Sequence, residues 1–134
     1  MSRPSIALFC CENSGLPAFR LIADQSLRDA VEVVRLPCSG KVEVPQLLQA
    51  FERGYEGVLV LGCPLDNCTY LKGSHRAAKR VEAARKSLAS AGLDPDSLRM
   101  CHLSSVDSRT AAEAIRSLIE SIDAAKAARE RSGA

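Results

Sequence analysis

A chain of 134 residues, 46% of them hydrophobic, is the length of one domain with enough apolar surface for a single core. Its formal charge of +2 arises from 18 Lys and Arg interleaved with 16 Asp and Glu, Trp is absent and aromatics reach only 4%; a basic nucleic-acid stripe, a base-stacking platform and an aromatic membrane belt are excluded. No run approaches the roughly 20 apolar residues of a membrane helix, and Ile6 to Cys11 is too short for a secretory segment, so a cytoplasmic protein is expected.

In chain order, Ile6 to Cys10 reads as a first strand, followed by a weak helical pattern from about Leu16 to Leu27. Val31 to Leu36 is a second strand. Val44-Pro45 then opens a helix to Arg53 with proline in its first turn. Gly54 and Gly57 punctuate the approach to a third strand, Gly57 to Leu61, whose run Val58-Leu-Val-Leu61 marks it as central. A helix from Ser74 to Ala91 stops at Gly92, Asp94-Pro95 makes a turn, and Arg99 to Leu103 is the fourth strand. The last helix runs from Ser108 to about Ala128, with Ala111, Ala114, Ile115, Leu118 and Ile122 on one face; from Lys126 to Ala134 that face is lost and the chain is expected to fray. Strands alternating with helices predict βαβ units: an α/β protein, one flavodoxin-like doubly wound domain over residues 1–134 with a four-stranded parallel sheet.

On this outline the six cysteines are not scattered. Cys10 and Cys11 end the first strand, Cys38 follows the second, and Cys63 and Cys68 follow the third. All five lie at carboxyl ends of strands, where open α/β sheets bind ligands at the point where the strand order reverses. In a reducing compartment thiols serve metals or catalysis more often than disulfides. Four thiolates suit a tetrahedral zinc ion or a [2Fe–2S] cluster, and Cys63-Pro-Leu-Asp-Asn-Cys68 has the four-residue spacing also found in plant-type ferredoxins. Cys101, inside the fourth strand, reads as a small core residue.

The segments Phe9-Cys-Cys11, Leu36-Pro-Cys-Ser-Gly-Lys-Val42 and Gly62-Cys-Pro-Leu-Asp-Asn-Cys-Thr-Tyr70 stand in an order that resembles the delta subunit of methyl-viologen-reducing hydrogenase. The resemblance continues through Gly73-Ser-His-Arg-Ala-Ala-Lys-Arg-Val81, the Gly92 to Arg99 turn and the final helix. It implies a [2Fe–2S] electron-transfer subunit with no substrate chemistry of its own. Such a protein relays electrons between a hydrogenase- or formate-dehydrogenase-type module and a flavin-containing heterodisulfide-reductase-type subunit. The family pattern places a Cys-x-x-Cys after the first strand, then a Cys-Ser-Gly cysteine, then a Gly-Cys pair and a further cysteine after four residues. Cys11, Cys38, Cys63 and Cys68 match and are the implied cluster ligands, whereas Ser14 stands where the pattern has a cysteine. Thr69 replaces the family's histidine and Lys41 its arginine. Cys10, one residue from a ligand, should point to the opposite face and is assigned to packing.

Two other chemistries fit parts of this pattern. Cys11-Glu-Asn-Ser14 is a Cys-x-x-Ser motif before a helix, the setting of a thiol redox protein with Cys11 as nucleophile. The same four thiolates would also serve a zinc-binding interaction module. No glycine-rich phosphate loop follows any strand, so flavin would belong to a partner. His75 and His102 read as structural rather than as proton carriers. The basic run of Arg76, Lys79, Arg80, Arg85 and Lys86 is either a solvated helix face or a dock for an acidic partner beside the cysteines.

Overall fold

A computed structural model describes residues 5–37, 41–63 and 73–131. Within them lie β1 (Ile6–Cys11), α1 (Gly15–Arg20), α2 (Gln25–Asp29), β2 (Val31–Leu36), α3 (Val44–Glu52), β3 (Gly57–Gly62), α4 (Gly73–Ser90), a 3-10 turn at Pro95–Ser97, β4 (Leu98–His102) and α5 (Ser108–Arg131).

The four strands form one sheet in the order β2-β1-β3-β4, every pair parallel. β1 and β3 are buried at all six positions, which is why they read as unbroken apolar runs. β2 and β4 are the edges, and β2 exposes Glu32 and Arg35, charges that oppose edge-to-edge pairing. Alternation along the strands divides the core into two layers. Ile6, Leu8, Cys10, Leu59 and Leu61 pack with Leu16 and Phe19 of α1, Leu27 of α2, and Ala111, Ile115 and Leu118 of α5. Ala7, Phe9, Val58 and Val60 pack with Leu47 of α3 and Ala77, Val81 and Leu88 of α4. Helices therefore cover both faces, the doubly wound flavodoxin-like arrangement the sequence predicts. The chain goes from β1 to β2 on one side and returns past β1 to β3 on the other, so the order reverses between β1 and β3.

The region read as one helix from Leu16 to Leu27 is two helices, because Asp24 caps a new start: its carboxylate accepts from the Ser26 amide at 3.0 Å. Before α3, the Gln46 side chain accepts from the Glu43 amide at 3.3 Å, half of a capping box, and Pro45 lies in the first turn. After α4, Gly92 takes a φ of +83°, and the amides of Gly92 and Leu93 donate back to the carbonyls of Ala89 and Leu88 at 3.1 and 2.9 Å. That is a Schellman stop, which favours glycine at the left-handed position. α5 stays helical to Arg131, beyond Lys126 where its pattern predicts fraying; the Lys126 ammonium pairs with Glu56 just before β3 and ties this last stretch to the sheet. No helix among the described residues is long and apolar enough to cross a membrane.

Ile115 is fully buried where α5 meets the sheet. Ile115→Ala is expected to cost about 2–5 kcal/mol, read as a lower urea midpoint with the slope of the transition unchanged.

Candidate metal centre

The expected ligands that fall within the described residues are Cys11 and Cys63, at the carboxyl ends of the two strands that flank the reversal. Cys11 is the last residue of β1 and Cys63 the first after β3, and they are 1% and 3% exposed. Backbone pairing reaches the ends of both strands: the Glu12 amide, one residue past β1, donates to Leu36 at 2.9 Å, and the Leu103 amide, one residue past β4, donates to Gly62, the last residue of β3, at 2.9 Å. His102, the last residue of β4, holds the Cys63 carbonyl through Nδ1 at 3.1 Å. This is a positioning role that the sequence shows only as a histidine in a strand. His75 is exposed on α4.

The two sulfurs lie 3.7 Å apart, across 52 residues of sequence. This far exceeds the about 2.05 Å of a disulfide. A tetrahedral metal with sulfur bonds of about 2.3 Å holds two thiolates roughly 3.8 Å apart, so the pair has the spacing of two ligands on one metal. Cys38, Cys68 and Thr69 lie outside the described residues. Among the described residues no three His, Cys, Asp or Glu side chains converge as a metal cage.

Cys10 points the other way. It is fully buried in the layer with Ile6, Leu8, Leu61 and Ile115. That burial, with the adjacent Cys11 adding to it and Arg20 opposing it, pushes its thiol up to about 12. Cys101 is half-buried against the same layer, and desolvation, followed by the nearby Asp107 carboxylate, raises its thiol as well. Both therefore hold their protons at neutral pH, as packing residues do.

Ser14 directs its hydroxyl to Cys63, the Oγ donating to Sγ at 3.1 Å. This places the serine of the Cys-x-x-Ser motif on a cysteine other than its own. The approach is enforced by Gly15, where a Cβ would stand 2.4 Å from the Leu61 carbonyl oxygen, so the start of α1 lies directly on the end of β3. On α4, Arg80 donates to the Val42 carbonyl at 2.9 Å and Arg85 bonds the Pro95 carbonyl and the Asp96 carboxylate at 3.1 and 3.0 Å. These two arginines fasten α4 to its neighbours, and Arg76, Lys79 and Lys86 form its exposed basic part.

A doubly wound α/β domain with cysteines gathered at its strand-order reversal is thus the class to which fold and site assign the chain. The family described as methyl-viologen-reducing hydrogenase, delta subunit, matches residues 6–125, and the chain belongs to it. Similar proteins include the vhu iron-sulfur subunit of the F420-non-reducing hydrogenase of Methanocaldococcus jannaschii, 30% identical over 90% of this chain and 91% of that one. The protein of the same name from Methanopyrus kandleri is 30% identical over 90% and 93%. A third relative, from Methanosarcina acetivorans, is a subunit of the ferredoxin/F(420)H(2)-dependent CoB-CoM heterodisulfide reductase; it is 29% identical over 90% of this chain but only 15% of its own length.

Gly15→Ala is expected to cost about 1–3 kcal/mol, measured by urea unfolding, because backbone rather than a flexible side chain opposes the new methyl group. In the metal-free folded protein at pH 8, Cys10 is expected to stay unalkylated by iodoacetamide and to react once urea unfolds the chain; peptide mass mapping reads both.

Proposed function

We propose that this protein is a one-electron relay that holds a [2Fe–2S] cluster on Cys11, Cys38, Cys63 and Cys68. It would serve in the cytoplasm between a hydrogenase- or formate-dehydrogenase-type module and a flavin-containing heterodisulfide-reductase-type subunit. The observation that carries the reading is the convergence of Cys11 and Cys63 at the strand-order reversal, with sulfurs at the spacing of co-ligands. Iron–sulfur chemistry is favoured over zinc by the names of the relatives, which are iron-sulfur subunits of hydrogenases. The partner assignment is supported by the heterodisulfide reductase chain of Methanosarcina acetivorans, whose greater length contains a stretch similar to nearly all of this protein. A domain that is covalently part of that chain in one organism fits the same partner as a separate protein in another.

The cluster supplies the capacity to take up and release one electron; the chain supplies everything that makes this useful. Cys11 is held by a strand end whose pairing continues one residue beyond it, and Cys63 by the His102 bond to its carbonyl, so the backbone that carries both sulfurs is fixed. The apolar layers below exclude water from the buried side, and this burial, with hydrogen bonds to sulfur, sets the potential. Arg76 and Lys79, exposed near the start of α4 at the same end of the sheet, offer an acidic partner a surface near the thiolates. The thiol redox reading draws on the 3.7 Å approach of Cys11 and Cys63 but not on its own motif, since Ser14 serves Cys63.

Protein purified without oxygen should contain iron and acid-labile sulfide in equal amounts, and give the paramagnetic signal of a reduced [2Fe–2S] centre with dithionite. Zinc without iron would sink the relay. Serine substitution at Cys11, Cys38, Cys63 or Cys68 is expected to remove most of the iron, whereas Cys10→Ser and Cys101→Ser leave it in place. Iron loss at Cys10 would reassign the ligand set.

A further inference from the structure

Beside the two sulfurs stands a hydroxyl that neither the helix nor the core requires. Ser14 occupies the position before α1 where a serine ordinarily accepts a hydrogen bond from the first-turn amides, a contribution of about 1 kcal/mol. Its side chain makes no such bond. The Oγ donates instead to the Cys63 sulfur at 3.1 Å. At 4% exposure, Ser14 is the one buried polar side chain among the described residues. Alanine would leave no polar atom there to desolvate, so burial alone gives no reason for the hydroxyl. The contact is also not incidental, because Gly15 lies against the Leu61 carbonyl and holds the serine over the end of β3.

We infer that Ser14 is a positioning residue of the redox centre, its hydroxyl donating to the Cys63 ligand sulfur and raising the reduction potential. The inference rests on the iron–sulfur reading above. One-electron reduction adds negative charge that the ligand sulfurs share, so a donor aimed at one of them stabilises the reduced form more than the oxidised form. Burial strengthens the effect, since water does not compete for the sulfur or screen it. The proton stays on Oγ throughout; the electron arrives from an external one-electron donor and leaves to a partner, and no bond is made or broken in this chain.

The test compares the full-length protein with Ser14→Ala and Ser14→Thr, each purified without oxygen and analysed for iron and sulfide. Each is then titrated with dithionite in the presence of mediators, with the paramagnetic signal as readout. Ser14→Ala is expected to keep its iron and to show a reduced-to-oxidised ratio roughly tenfold lower at the wild-type midpoint, a downward shift of about 59 mV for one electron. Ser14→Thr, which keeps the hydroxyl, returns towards the wild-type midpoint. In D2O the iron–thiolate stretching bands of the wild type shift by more than those of Ser14→Ala, a comparison that does not need the threonine variant. An unchanged midpoint in an iron-replete Ser14→Ala protein overturns the inference and leaves the relay standing. Iron loss in Ser14→Ala but not in Ser14→Thr also overturns it, by making the oxygen a ligand. Wild-type protein with zinc and no iron overturns the relay itself.

Discussion

The parallel pairing of β1 with β3 is the constraint on which the rest depends. It joins two strands that are not consecutive, so it creates the reversal in strand order, and its register sets what meets there. Cys10 stands opposite Leu61, so Cys11 is the next residue on β1, and Cys63 follows the strand's last residue, Gly62, on β3; both emerge at the same end of the sheet. A slip of one residue would exchange the two faces of β1, and in one direction it would draw Cys11 from the end of the sheet into the layer with Leu8 and Ile115 while Cys10 passed to the opposite layer with Phe9 and Val60. The register is held by apolar burial on both faces, with Ile6, Leu8 and Leu61 on one side and Phe9 and Val60 on the other. The position of the sulfurs is in this sense a by-product of core packing.

That dependence explains what could be read in advance. The strands were legible because each is a short aliphatic or β-branched run between stretches of helical pattern, with Gly54 and Gly57 marking the approach to β3, and the observed β2 has the predicted limits. The gathering of Cys11 and Cys63 followed from strand placement and the ligand rule for open sheets, with no knowledge of any distance. The separation of Cys10 from Cys11 followed from alternation. Less was legible where local signals competed. Leu16, Phe19, Ile22 and Leu27 suggest one helix, but Asp24 is extended and its carboxylate caps the Ser26 amide, so the chain restarts there as a second helix. At the other end, the fading apolar face of α5 suggested an early end, and the Lys126 pair with Glu56 is a long-range contact invisible in a window of sequence.

The Ser14 contact shows the same limit at the site itself. A serine three residues after a cysteine invites a local reading, with the pair acting together. Its partner is instead 49 residues away, brought there by the absence of a side chain at Gly15. The signals were present as Ser14-Gly15 and as Gly62-Cys63, but nothing local says that one glycine presses its neighbour against the strand that precedes the other. His102 is similar: its bond to the Cys63 carbonyl depends on β4 lying beside β3, which only the topology supplies.

Fold and site are therefore separable in a way that matters for the family. The two apolar layers are complete beneath the rim: each contains residues from the central strands and from its own helices. Among the four thiols proposed for the centre, the two described, Cys11 and Cys63, lie at the strand ends beyond these layers. A residue at the rim can change without repacking the core, and Ser14, where the resemblance implies a cysteine, would be such a change, close in volume and different in chemistry. A thiol there would add a further sulfur to the site, whereas a hydroxyl adds a donor to a sulfur already present. On the proposed relay, the same scaffold would shift its electron affinity through rim residues while the sheet register, which the spacing of Cys11 and Cys63 requires, stays fixed by the core.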